Sequence, residues 1–197
     1  MEIEDVRGRE GRWQRLRAST HEAHEQLDKA IMASEPFADR DRYGCFLRMQ
    51  YILHRDVDAL YLDPVLGGLL PDLADRRRLG LIEKDFEDLG LALPSPEKAP
   101  LFGASADVPR AAGWLYVVEG SNLGAAFLLK GVAKIGLSEN NGARHLAGHP
   151  DGRGLHWRRF TAAIDGLEFG EVEDERMLQG ADEAFARVRE IAQEVFA

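Results

Sequence analysis

Along most of this 197-residue chain, apolar residues recur at intervals of three and four, and nowhere do they alternate long enough to make a strand. That is the period of helices with one buried face, so the chain is expected to be all-α, a multi-helix bundle. The periodicity predicts helices over residues 10–33, 39–61, 72–89, 109–135, 155–168 and 171–196. Turn chemistry separates them: Glu35-Pro36, Asp63-Pro64 with Gly67-Gly68, the stretch from Leu93 to Pro109, and the stretch from Gly148 to Gly154. The longest break could pass for a linker, but neither side of it has enough helices to close a core alone. One domain over residues 1–197 is therefore expected, with residues 1–9 flexible.

Composition excludes several functions. With 45% hydrophobic and 30% charged residues the chain falls in the globular class. Its formal net charge of −9 argues against a nucleic-acid partner, which usually meets a basic domain. The single cysteine, Cys45, leaves no internal disulfide and lies in YGCFLRM, the setting of an inert buried thiol. MEIEDVRGREGRW lacks the apolar core of a secretory signal, and the longest apolar stretch, GWLYVV, is too short for a bilayer. A cytoplasmic location with no membrane partner is expected.

Two segments stand out. In the first helix Trp13, Leu16, Thr20, His24, Leu27 and Ile31 follow one another at spacings that keep them on one face. This puts a histidine in the middle of the side expected to be buried, as a hydrogen-bonded core residue or as a ligand. His21 lies at the edge of that face.

The second segment, EGSNLGAAFLLKG, belongs to a helix that carries glycine at 113, 120, 124 and 131. Each costs roughly 0.5–1 kcal/mol against alanine inside a helix. At about 100° per residue all four fall within about 40° of one another, a bare stripe of backbone. Such a stripe serves a close helix crossing or a flat ligand lying against the main chain, and the spacing leaves both open. Ser121 and Asn122 stand beside it, and Val117 and Phe127 line it, which gives an apolar slot with a few polar groups.

Other motifs are absent. THEAHEQ is one residue short of H-E-x-x-H, and no histidine has a glutamate three residues before it, as a di-iron bundle would need. His145 and His149 are read as loop or helix-end residues rather than a metal pair, His54 and His156 have no partner nearby in sequence, and Arg76-Arg77-Arg78 is read as a solvated face.

THEAHEQLD, followed some ninety residues later by WLYVVEGSNLGAAFLLK, resembles a heme oxygenase, of the bacterial branch that includes the enzymes of Neisseria and Pseudomonas. The likeness extends to SEPFADRDRY, YILHRDVDALY and NGARHLAG, and so covers nearly the whole chain. It implies heme held between a proximal helix and a distal helix kinked at glycines. By motif match His24 is the axial iron ligand, and Gly120 and Gly124 are the distal glycines. Ser121 stands where many members have an aspartate that organises water, so the water network would rest on backbone carbonyls, with Ser121 or Asn122 assisting. Asp28, one turn from His24, can hold its second ring nitrogen. Arg17 and Tyr116 match positions that meet the heme propionates in some relatives, although a surface arginine and a half-buried tyrosine are the ordinary alternative.

The implied reaction uses heme as both cofactor and substrate, with dioxygen and electrons from an external donor of ferredoxin or reductase type. It yields biliverdin, carbon monoxide and ferrous iron, with a bacteriophytochrome as a candidate recipient of biliverdin. A carrier that binds heme without degrading it would share the same motifs. A thiamine-degrading or salvage enzyme of similar architecture would need a catalytic cysteine in acidic surroundings, which Cys45 is not. A purely structural module leaves His24 and the glycines without a purpose.

Overall fold

The computed structural model describes residues 11–197, so the expectation about residues 1–9 lies outside it. Seven α-helices follow one another: α1 Arg12–Ala33, α2 Arg40–Tyr61, α3 Pro64–Leu69, α4 Leu79–Leu89, α5 Val108–Ala133, α6 Arg153–Asp165 and α7 Glu171–Phe196. Two 3-10 turns, Leu73–Arg76 and Arg144–Leu146, complete the regular structure. The described residues contain no strand, only isolated bridges at Ser138. None of the described helices is long and apolar enough to cross a membrane.

Local chemistry sets the helix starts. Asp39 accepts from the Arg42 amide (2.8 Å), Asp63 from the Val65 and Leu66 amides, and Asp107 from the Arg110 amide (3.0 Å). Each cap satisfies donors that the first turn leaves unpaired. Asp63 also explains α3, which was expected only as a break. An aspartate cap followed by proline starts a helix, because proline's fixed φ suits the first position and its missing N–H costs nothing there. The helix expected over 72–89 is two pieces. Arg77 turns to ψ 130, out of the helical region, so a 3-10 turn ends there before α4 begins. α4 closes at Gly90, whose φ of +65 is a conformation side chains disfavour.

The most extensive packing joins α5 to α7, and α7 also covers α1 and α2. At the crossing a Cβ on Gly113 would be driven into the Met177 carbonyl and within 2.8 Å of the Ala181 nitrogen. A Cβ on Gly180 would meet the Arg110 carbonyl in the same way. Here the two backbones touch, and Gly113 therefore serves a helix crossing, not the ligand side of the stripe. Further down α5, Gly131 backs onto Phe37, whose ring lies 3.0 Å from where a Cβ would be.

The start of α1 is pinned to α6 and α7. Arg12 and Arg15 reach Asp174 at 2.7 and 2.5 Å, and the Trp13 amide donates to Asp165. The long loop before α5 is held by Phe102, whose amide donates to the Asp56 carbonyl and whose ring stands edge-on to Trp114. Leu16, Leu60, Trp114, Phe160 and Ile191 belong to one continuous core drawn from five helices. α5 is central to it: residues 111–119 are buried without interruption, and from Gly120 onward the helix is largely exposed. An all-round buried segment and an open one thus meet at the Glu119–Gly120 bond.

Candidate functional site

The open half of α5 faces α1 across a cavity of about 910 Å³. Its inner end is closed by Phe46, Met49, Gln50 and Leu53 of α2 and by Phe185 and Val188 of α7. This volume lies at the upper end of the range for small-molecule sites, roughly 300–1,000 Å³, and the lining is mostly apolar.

On the α1 wall His24 is 58% exposed, so it is not buried in the core as the stripe suggested. The stripe divides between Leu16 and Leu27, which are buried, and His24, which looks into the cavity edge-on to Phe185 at 6.0 Å. Nδ1 of His24 lies 3.6 Å from Asp28, slightly beyond a hydrogen bond. His21 also borders the cavity and lies 3.5 Å from Glu25.

On the α5 wall Gly120 and Gly124 present bare backbone. A Cβ on Gly124 would meet nothing within 4 Å, and one on Gly120 would touch only Trp157, at 3.5 Å. Of the four stripe glycines these two line the cavity. Val117 and Phe127 border it as expected, Phe127 at the mouth with 65% exposure. Ser121 also borders it, but its hydroxyl donates to the Val118 carbonyl of its own helix (2.7 Å). Arg17 and Tyr116 reach the cavity from opposite walls. Burial raises the Tyr116 phenol, opposed by the positive Arg17.

Asn122 is placed elsewhere. It lines a second, much smaller cavity on the other side of α5, with Arg76, Arg78, His156 and Glu119. The Asn122 Nδ2 and Arg78 Nε are buried there without a protein partner. About 10 Å³ is room for a single water. Leu123 and Trp157 border both cavities and separate them.

The arginine run is not a solvated face. The Arg76 side chain is 1% exposed and paired with Asp72 and Glu119, and Arg78 donates to the His145 and Ala147 carbonyls; only Arg77 points outward, to Asp58. Of the two histidines with no partner nearby in sequence, His54 is buried and His156 packs beside another histidine. His145 meets Asp85 at 2.7 Å, and His156 stacks on His149 at 4.3 Å. One sign of this network lies in the sequence itself: a glutamate inside the apolar run WLYVVEG needs a buried partner.

The slot fits heme. A flat, apolar macrocycle needs a slab between two walls, a nitrogen ligand on one and no side chains directly opposite, and the two glycines leave that space clear. No cluster of three or more possible metal ligands occurs among the described residues.

Comparison with known proteins agrees with this geometry. A sequence model of the family described as heme oxygenase matches residues 102–194. The chain is 40% identical to the heme oxygenase PigA of Pseudomonas aeruginosa over 186 residues, covering 94% of this chain and 93% of that protein. Its fold matches the NO- and CO-bound heme oxygenase of Neisseria meningitidis with a TM-score of 0.89 and 37% identity, over 94% of this chain and 92% of that one. A histidine-bearing α1 facing a glycine-bare α5, on a chain related over nearly its full length to these two enzymes, belongs to the heme oxygenase family.

Proposed function

We propose that the chain works as a single domain that holds heme flat between α1 and α5 and opens it at a meso carbon, giving biliverdin, carbon monoxide and ferrous iron. The observation that supports this reading is the pairing of His24 on one cavity wall with the bare backbone of Gly120 and Gly124 on the other. Heme is the substrate and supplies the iron at which dioxygen is reduced. His24 would hold that iron through a ring nitrogen, and Asp28, 3.6 Å from Nδ1, would orient the ring. Gly120 and Gly124 would let the α5 backbone lie close to the bound macrocycle and leave space there for a small molecule such as dioxygen. Val117 and Phe127 exclude bulk water. The Ser121 hydroxyl and backbone carbonyls hold ordered water on the distal side, and the Asn122 amide holds one behind the helix. Arg17 and Tyr116 anchor the propionates.

No protein nucleophile takes part. Dioxygen and an external electron donor of ferredoxin or reductase type complete the reaction in a cytoplasmic setting, with a bacteriophytochrome as a candidate recipient of biliverdin. Adding hemin and a reductant under air tests the reading. Loss of the Soret band with growth of a broad red band is expected; a persistent Soret band would instead identify a heme carrier.

A further inference from the structure

The residue before Gly120 is the only charged side chain in the buried half of α5. Glu119 is 3% exposed, and its carboxylate accepts one hydrogen bond from Tyr61 Oη (2.8 Å) and one from Arg76 Nη1 (3.1 Å). Arg76 also donates to Asp72 and to the His156 carbonyl (3.1 Å), and its guanidinium lies over Phe160 at 5.2 Å. The next residue, Trp157, packs against Tyr116 and stands nearest to the missing Cβ of Gly120. One carboxylate thus ties α5 to α2, to the 3-10 turn at 73–76 and to α6. It does so at the last buried residue before the helix opens.

Glu119 borders the small cavity and not the large one, so it does not touch the heme slot. A buried ion pair is a costly way to gain stability, because two charges must leave water, and apolar residues of equal volume often serve as well. What such a pair supplies is direction, since its hydrogen bonds hold at one rotation of the helix and fail at others. Gly120 and Gly124 carry no side chains that could key this stretch against a neighbour. The clamp sits where that keying is missing.

We infer that Glu119, gripped by Tyr61 and Arg76, is a positioning residue for ring opening: it sets the rotation and depth of α5 so that the backbone of Gly120 and Gly124 faces the heme at a fixed distance. The inference rests on the proposed reaction and on His24 and the two glycines forming the slot.

The test compares Glu119→Gln, Tyr61→Phe and the double variant Glu119→Gln/Arg76→Met with the wild type. In Glu119→Gln, hemin affinity stays within about threefold while biliverdin formation slows by about tenfold or more and the isomer ratio changes. Tyr61→Phe, which removes one hydrogen bond without stranding a charge, gives a smaller change in the same direction and decides the matter if Glu119→Gln does not fold. In the heme-free protein, amide hydrogen exchange over residues 120–126 speeds up by about tenfold in Glu119→Gln and by less in Tyr61→Phe, with α7 unchanged. The double variant regains thermal stability, because no fully buried charge is left unpaired and the Asp72 carboxylate, a third exposed, can turn to water, but it does not regain the rate or the isomer ratio. Recovery of rate together with stability would reduce Glu119 to a structural role, and wild-type rate, isomer ratio and exchange in the single variants would overturn the inference. Failure of the wild type to consume hemin would sink the reaction, yet the exchange measurement would still report whether Glu119 holds α5.

Discussion

Gly113 of α5 and Met177 of α7 meet backbone to backbone, with no room between them for a methyl group. Gly113→Ala should therefore cost stability despite the better helix propensity of alanine. Overpacking of roughly 2–4 kcal/mol is expected, because the obstacle is a carbonyl on a rigid helix and not a movable side chain. Urea unfolding of the heme-free protein measures it. Stability equal to the wild type would mean that the two helices do not cross here.

Gly124 should behave in the opposite way. A Cβ there meets nothing within 4 Å, so Gly124→Ala should stabilise the heme-free protein by about 0.5–1 kcal/mol, the usual gain inside a helix. The same methyl group intrudes on the slot, and biliverdin formation should slow by about tenfold, with Gly124→Phe nearly inactive. Thermal melting and a turnover assay on one preparation are sufficient. A stabilised variant with undiminished turnover would remove Gly124 from the site.

His24→Ala should leave the fold intact. The side chain is more than half exposed, and truncating such a residue away from special contacts changes stability by about 0.5 kcal/mol or less. The heme spectrum should lose the signature of an imidazole-ligated iron and regain it when imidazole is added. An unchanged spectrum in the variant would transfer the ligand role, most directly to His21 on the same wall.

Arg17 and Tyr116 should govern how heme is seated about the iron–histidine axis, and so which meso carbon is attacked. A preference of about 1.4 kcal/mol between two seatings is a tenfold ratio, within reach of a bidentate arginine contact and a phenol hydrogen bond. Chromatography of the biliverdin isomers from Arg17→Ala/Tyr116→Phe should reveal a mixture different from that of the wild type. An identical isomer pattern would place the propionate anchors elsewhere.

Stability should fall in mild acid. Burial, with the positive Arg78 nearby, lowers the His54 pKa to about 3, and burial lowers that of His145 too although Asp85 opposes it. The unfolded chain binds a proton on each near pH 6.5, whereas the folded protein resists it. The unfolded state therefore gains protons over the folded one as pH drops through about 6.5, and for His54 this continues to about 3. His54 alone removes about 1.4 kcal/mol per pH unit in that window, or about 2 kcal/mol by pH 5, and His145 acts in the same direction. Urea midpoints at pH 7.5 and 5 measure the difference, and His54→Gln should flatten it.

The periodic parts of the fold were legible in the sequence because helix faces are a local property. α2, α5 and α7 begin and end within about two residues of where spacing and turn signals place them. What lay across from each face was not legible. The four glycines of α5 share one side of the helix, yet that side meets α7 at 113, Trp157 at 120, open space at 124 and Phe37 at 131. Helical phase fixes direction, and only the tertiary fold fixes the neighbour. His24 shows the same limit, since a core and an apolar cavity ask for the same stripe. Arg76 shows it most sharply. Three arginines in a row look solvated, and the acid that buries the first of them lies 43 residues further on, in another helix.

The division of α5 has a mechanical meaning. Gripped at Gly113 by α7, at Glu119 by Tyr61 and Arg76, and at Gly131 by Phe37, the helix is a beam whose most lightly held span, residues 120–130, lies over the slot. Compliance in such a beam collects in the span. A change in the height of α5 over the slot therefore falls to residues 120–130, while the buried stretch 111–119 and the core around it keep their packing.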